Sequence, residues 1–404
     1  MFEIVLVTYG LYILMKIYIS VMELKFVAEA KKKKPIILSD ENYIMAADYK
    51  IETSKISIVS SLYDILIFTA WMTFGLRFLE GFITIDDNFL TTIVFVNSFI
   101  AVNYILGLPF DLYQTFNVDK RYGFSTIDAK IYLIDQLKGA GMFLLFGSLL
   151  VWLLAFIISS FETWWIWGFG AIFIVILFIN MIYPTLIAPI FNKFSPLENE
   201  ELNSSIENLL NKAGLKSSGV FTIDASKRDK RLNAYFGGLG SSKRVVLFDT
   251  LIKKLTTHEL LAVLGHELGH FKHGDIIKNI ISSGVMLFIM FYIFGNIPQS
   301  IFEGIGVNNS AGMIIILFML LSPVLSFIMM PIMGMLSRHN EYRADEYGSE
   351  CESKEALANA LVKLADENKS FPLSHPLTIF FYHTHPELAQ RLEKLGYNVS
   401  KEEA

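Results

Sequence analysis

The sequence is poor in cysteine and in charged residues, and both shortages limit the kinds of protein it can be. Its 404 residues contain one cysteine, Cys351, which excludes an internal disulfide and any zinc cluster built from several thiolates. Only 18% of the residues are charged and 53% are hydrophobic, which is untypical of a soluble protein and indicates an integral membrane protein. The net charge of −5 gives no basis for a nucleic-acid partner.

Seven apolar stretches are long enough to cross a bilayer as helices, because a span needs about twenty residues. They run from Phe2 to Met22, Ile56 to Phe78, Phe89 to Phe110, Gly141 to Ser159, Trp165 to Phe191, Ile276 to Gly295 and Gly312 to Leu336. The sequence therefore predicts a multi-pass α-helical membrane protein.

Lysine and arginine are unevenly distributed among the connections between these spans. Seven lysines lie in the first connection, 23–55, and four basic residues lie in the third, 111–140, whereas the second, fourth and sixth have none. By the positive-inside rule, the odd-numbered connections and the C-terminus are cytosolic. The membrane would be the inner membrane of a bacterium or the endoplasmic reticulum of a eukaryote.

The fifth connection, 192–275, is the only sizeable polar stretch between the predicted spans. A helix is predicted over Leu197 to Ala213, and short strands over Val220 to Ile223 and Arg244 to Phe248. Together with the tail, this stretch predicts a small α+β domain on the cytosolic side. The predicted regions are 1–191 with five spans, 192–275 with the sheet, 276–336 with spans six and seven, and 337–404 with the rest of the α+β domain.

Residues His266 to His270 spell H-E-L-G-H, a match to the H-E-x-x-H pattern of zinc hydrolases. On a helix both histidines project from one face and can share a metal ion, and Glu267 can reach a water molecule on that ion. The Thr256 to Glu259 segment has the form of a capping box, so a helix is expected to begin just before the motif. All eight histidines of the chain lie between residues 258 and 385.

A catalytic zinc ion needs a third protein ligand, with the fourth position left for water. Glu341 and Asp345 are four residues apart, so on a helix both carboxylates point the same way. One of them can bind the metal while the other holds a ligand imidazole by its second nitrogen. His339 is an alternative third ligand.

Several segments together resemble the integral-membrane type I CAAX prenyl endopeptidases, a branch of the H-E-x-x-H zinc metalloproteases. The H-E-L-G-H motif is followed about seventy residues later by S-R-x-x-E-Y-x-A-D. The other matching segments are Lys120 to Thr126, Asn233 to Gly237, Lys243 to Thr250, and His385 and Pro386 followed by Arg391. The resemblance covers nearly the whole chain.

The resemblance implies a fold and a set of site residues. Seven helices would enclose a chamber with a single Zn²⁺ at its cytosolic end. Glu341 would be the third metal ligand, and Asp345 would orient a ligand histidine. Asn233 would belong to an edge strand that pairs with the substrate, His385 would donate a hydrogen bond to the oxyanion, and Arg391 would support the substrate side of the site.

The sequence therefore predicts an integral-membrane zinc endopeptidase in which Glu267 is the general base. Its partners would be the lipid bilayer and a polypeptide substrate. That substrate is either a prenylated C-terminal tail, from which the C-terminal tripeptide is removed, or another membrane protein. Two alternatives stay open: a quality-control metalloprotease of the heat-shock type, and a transporter with a structural zinc.

Overall fold

The computed structural model describes residues 1–83, 88–215, 217–238, 243–397 and 399, so residues 400–404 of the predicted C-terminal region lie outside the described residues. The chain begins with five long helices, some of which contain a π turn. These helices are α1 (Phe2–Ala30), α2 (Asp40–Phe82), α3 (Phe89–Arg121), α4 (Ala129–Ser160) and α5 (Trp164–Phe191).

A small sheet with flanking helices follows. Its elements are β1 (Phe194–Pro196), α6 (Glu200–Lys212), β2 (Val220–Ile223), β3 (Ala234–Gly237), β4 (Arg244–Phe248), α7 (Asp249–Lys254) and α8 (Thr257–Lys272). The bounds of β2 and β4 are those predicted from the sequence. The predicted helix over Leu197 to Ala213 starts later, because Asn199 caps α6 and its side-chain oxygen accepts a hydrogen bond from the Leu202 N–H.

Six helices complete the described chain. They are α9 (Asp275–Gly295), α10 (Gln299–Ile305), α11 (Ala311–Cys351), α12 (Lys354–Glu367), α13 (Pro376–Tyr382) and α14 (Leu388–Lys394). Seven of the described helices, α1 to α5, α9 and α11, are long and apolar enough to cross a membrane, in agreement with the prediction. Only 11–33% of the apolar stretch of each is buried within the protein, which suits helices that are surrounded by lipid.

The seventh spanning helix continues well beyond the predicted span. The apolar stretch ends at Leu336, but α11 continues to Cys351 and is 41 residues long. The polar residues 337–351 contain no proline that would end the helix. The predicted boundary at residue 337 therefore falls within one helix, and Glu341 and Asp345 lie on the polar extension of a membrane span.

The four strands form one sheet in the order β1-β2-β4-β3. Strands β2 and β4 are parallel, whereas β3 pairs with β4 antiparallel, with Ala234 opposite Leu247. Strand β3 therefore lies at an edge of the sheet. Asn233, predicted to belong to the strand, lies immediately before it, and its carbonyl accepts a hydrogen bond of 3.2 Å from the Phe248 N–H.

The motif helix α8 packs against this sheet. Val245 and Leu247 of β4 share a buried cluster with Leu260, Leu264 and Leu268 of α8. Full burial of each leucine contributes roughly 2 kcal/mol to the hydrophobic stabilisation of the peptidase region. The apolar stripe formed by these leucines is therefore the surface that packs α8 against the sheet.

Candidate active site

Helix α8 starts where the sequence predicts. The Thr256 hydroxyl accepts a hydrogen bond from the Glu259 N–H, and the Glu259 carboxylate accepts one of 2.8 Å from the Thr256 N–H. This capping box fixes the first turn of α8. His266 and His270 lie on one face of the same helix, and their ring centroids are 4.9 Å apart.

Glycines bring the backbones of α8 and α11 into contact. A Cβ atom placed on Gly265 would lie 2.9 Å from the Cys351 Cβ, and one placed on Gly269 would lie 2.9 Å from the Ala344 Cα. A Cβ atom on Gly348 of α11 would meet the backbone of α8 at 2.8 Å. Any larger residue would push the helices apart, so these glycines allow the carboxylates of α11 to reach the histidines of α8.

His266, His270 and Glu341 converge on one point. Each offers one ligand atom, and these atoms lie within 4.8 Å of one another. His266 Nε2 lies 3.5 Å from Glu341 Oε2, and His270 Nε2 lies 3.2 Å from Glu341 Oε1. His339, the alternative ligand, is exposed and does not belong to this group.

Carboxylates contact the Nδ1 atoms of both imidazoles, so the Nε2 atoms remain available to bind a metal. His266 Nδ1 lies 2.8 Å from Asp345 Oδ1, and His270 Nδ1 lies 3.1 Å from Asp275 Oδ2. Glu341 Oε2 is buried and forms no hydrogen bond within the described part of the chain. Two imidazoles oriented by carboxylates, together with one buried carboxylate, fit a divalent cation such as zinc with an open fourth position.

Asp275 is a site residue that the sequence analysis missed. It is the first residue of α9, and Gly274, with a φ of 69°, makes the turn between α8 and α9. This turn brings the Asp275 side chain, which is 2% exposed, back to His270. A carboxylate a few residues after the second motif histidine was the available signal, but only the turn geometry shows that it points towards that histidine.

We expect Asp275→Asn to weaken metal binding about 10- to 100-fold, because the amide cannot hold the His270 imidazole as a carboxylate does. The affinity is measured by competition with a chelator on the purified full-length protein. Glu346→Gln, a similar change at an exposed position of α11, serves as the control. Equal affinities for the two variants would show that Asp275 does not orient the ligand.

Glu267 and His385 lie beside the three candidate ligands. Burial raises the pKa of Glu267 above its usual range, which suits a carboxylate that must accept a proton. His385 Nε2 lies 3.3 Å from Glu341 Oε1, and its side chain is 61% exposed. It therefore remains accessible to a ligand that enters the site.

Arg391 lies behind the ligands. Its Nε atom is 2.8 Å from Asp345 Oδ2, and one terminal nitrogen is 2.6 Å from Asp345 Oδ1. The other terminal nitrogen is 3.6 Å from Glu341 Oε2. The side chain is 11% exposed. The bidentate pair fixes the orientation of Asp345 and, through it, of His266.

A cavity of about 670 Å³ adjoins these residues. His385 and Arg391 line it together with Tyr49 and Lys50 of α2 and with Asn368, which follows α12. The edge strand β3 also contacts α8. The structure thus places the edge strand on the motif helix, and the cavity lies next to His385 and Arg391.

Two family models together cover most of the chain. Residues 196–399 match Peptidase family M48, and residues 25–193 match the CAAX prenyl protease N-terminal region with five membrane helices. The chain belongs to peptidase family M48. All the candidate site residues of the sequence analysis lie in the segment that matches this family.

Individual members of this family resemble the chain over nearly its whole length. CAAX prenyl protease 1 of Saccharomyces cerevisiae is 31% identical over 89% of this chain and 87% of its own length. A CAAX prenyl protease 1 homolog of Taenia solium is 29% identical over 95% of this chain and 93% of its own. The crystal structure of S. mikatae Ste24p superposes with a TM-score of 0.90 at 30% identity, covering 98% of this chain and 99% of that one.

These similarities confirm the predicted class of protein and its fold. The protein is a multi-pass membrane metalloendopeptidase that resembles the CAAX prenyl proteases, with a catalytic metal and a polypeptide substrate. Among the functions that the sequence left open, they support this one over the heat-shock type of protease and over a transporter.

Proposed function

We propose that the protein binds one zinc ion through His266, His270 and Glu341 and uses it to hydrolyse peptide bonds. The convergence of these three side chains at the contact between α8 and α11 carries the proposal. Bound zinc would supply Lewis acidity at the position left open by the three protein ligands.

The remaining polar groups have distinct roles in this proposal. Glu267 accepts the proton of the attacking water and delivers it to the leaving amine. His385 donates a hydrogen bond from Nε2 to the oxygen of the scissile carbonyl as its charge develops. Asp345 and Asp275 hold the two ligand imidazoles, and Arg391 holds Asp345.

Substrate backbone would pair with the free edge of β3. An edge strand exposes N–H and C=O groups that an extended peptide can use, with Asn233 at the start of that edge. Gly237 ends the strand where a Cβ atom would lie 2.9 Å from the Pro184 Cβ, so glycine permits α5 to approach. The paired peptide would then be held between the sheet and the membrane helices.

We propose that the substrate is a prenylated C-terminal tail, from which a C-terminal tripeptide is released. The names of the relatives support this, as does the location of the site on a polar extension of a membrane span. The purified protein is given a farnesylated peptide and the same peptide without the lipid. We expect a higher kcat/KM for the farnesylated peptide, and Glu267→Gln is the inactive control. Equal values would favour turnover of membrane proteins instead.

We further propose that the peptidase region, formed by 192–275 and 337–404, is cytosolic, in the inner membrane of a bacterium or the endoplasmic reticulum of a eukaryote. The lysines of the first connection support this orientation. We expect an impermeant thiol reagent to label Lys33→Cys from the cytosolic side and Glu162→Cys, in the fourth connection, from the other side. Both changes are made in a Cys351→Ser background. The reverse pattern would invert the orientation.

A further inference from the structure

Arg231 joins two membrane helices to the segment that leads into β3. Its guanidinium donates to the Tyr49 hydroxyl of α2 at 2.9 Å and lies 3.1 Å from Asp119 Oδ1 of α3. The Tyr49 hydroxyl donates to the same Asp119 oxygen at 3.0 Å. The guanidinium also lies over the Phe124 ring, 4.0 Å from its centre. The Asp119 side chain is only 16% exposed, so this pair is screened less by water than a surface ion pair.

The backbone around Arg231 is held by the connection between α3 and α4. Ser125 and Asp229 form an antiparallel bridge, flanked by hydrogen bonds of 3.1 Å from the Thr126 N–H to the Arg228 carbonyl and 3.0 Å from the Lys230 N–H to the Phe124 carbonyl. The Arg228 guanidinium also forms a two-bond pair with Asp135 of α4, at 2.7 and 3.0 Å. The segment leading into β3 is therefore attached to the membrane region as well as to the peptidase core.

The other side of this segment is attached to the wall of the 670 Å³ cavity beside His385. The Asn368 side chain accepts a hydrogen bond from the Leu232 N–H at 2.7 Å and donates one to the Leu232 carbonyl at 3.1 Å. Asn368 and Tyr49 both line the cavity that contains His385. Arg231 therefore lies two residues before Asn233, between the cavity wall and the start of the edge strand.

We infer that Arg231 is a positioning residue, which with Tyr49 and Asp119 sets the place of the β3 edge relative to the metal site. The inference rests on the proposed pairing of substrate with β3. An extended peptide bound along that edge presents its scissile bond correctly only if the edge is fixed with respect to α8. Errors of about 1 Å in such positioning can lower rates up to about 100-fold.

A purely structural role and a positioning role have different kinetic signatures. Loss of stability reduces the amount of folded enzyme, so it lowers turnover of every substrate by the same factor. Loss of positioning lowers kcat/KM for a peptide long enough to pair with the four residues of β3 and leaves a peptide too short to pair largely unaffected. The ratio of kcat/KM for the long peptide to that for the short one therefore separates the two roles.

The test measures this ratio for the full-length protein and for Arg231→Met, with metal content determined on the same samples. We expect the ratio to fall about tenfold, mainly through kcat for the long peptide, while metal content stays at the wild-type level. Arg231→Lys should recover part of the ratio. Lys227→Met is the matched control, because Lys227 lies in the same segment and pairs at 2.6 Å with the neighbouring Asp224, as Arg231 pairs at 2.5 Å with Asp229, but its ion pair stays within the segment.

An unchanged ratio in Arg231→Met, an equal loss on both peptides, or a similar fall in Lys227→Met would overturn the inference. Should Arg231→Met fail to fold, Tyr49→Phe removes only the hydroxyl that bridges Arg231 and Asp119, and its ratio should fall in the same direction. No change there would also overturn the inference. A failure of the proposed function is seen separately, as a wild-type protein that does not prefer the long peptide or retains its turnover after Glu267→Gln.

Discussion

Glu267→Gln should lower kcat by roughly 10²- to 10⁴-fold while the protein still folds and binds its metal. The amide has nearly the shape of the carboxylate but cannot accept the proton of the attacking water. Glu267 lies next to His266 in the sequence, yet it is not one of the three converging ligands, so its loss should leave metal content unchanged. Turnover and bound metal are measured on the same preparation.

The raised pKa of Glu267 gives this prediction a physical basis beyond the sequence motif. Burial removes the carboxylate from water and destabilises its charged form, so its pKa is raised and it binds a proton more tightly than an exposed glutamate does. Glu346→Gln is the control, because Glu346 is an exposed acidic residue of α11. Near-normal turnover of metal-loaded Glu267→Gln would remove Glu267 from the role of general base.

The local pattern of residues was sufficient to predict the spans and the two inner strands. Apolar stretches of about twenty residues have few alternatives to a membrane helix, and the short apolar run within Arg244 to Phe248 belongs to a strand whose three central residues are buried. The helix ends were less predictable. The continuation of α11 past Leu336 depends on contacts of its polar extension with α8, which hydropathy does not report.

The residues of the candidate site also fall into two groups, those that the sequence predicted and those that only the structure shows. The H-E-L-G-H motif and the carboxylates of α11 were recognisable because their spacing has a chemical meaning. Asp275 was not, because its approach to His270 depends on a left-handed turn at Gly274. The pairing of Arg231 with Tyr49, 182 residues away, joins two regions that sequence order separates. Such long-range polar contacts are fixed by tertiary packing and have no periodic signature.

Among these substitutions, loss of the third ligand should weaken metal binding the most. We expect Glu341→Ala to weaken zinc binding by more than the roughly 10- to 100-fold typical of residues that only orient a ligand, because it removes a donor atom. His339→Ala should bind zinc like the wild type, since His339 is exposed and lies outside the converging group. Zinc affinity is measured by chelator competition on both variants.

The comparison of these two variants also separates metal binding from folding. Removal of Glu341 leaves Asp345 paired with His266 and Arg391, so the contact between α8 and α11 keeps its charged hydrogen bonds. The Glu341→Ala protein should therefore remain folded, with native circular dichroism, while its zinc is lost. If it retains zinc and His339→Ala loses it, the third ligand is His339, and α11 must then rotate from the orientation seen here, since residues 339 and 341 lie about 200° apart on a helix.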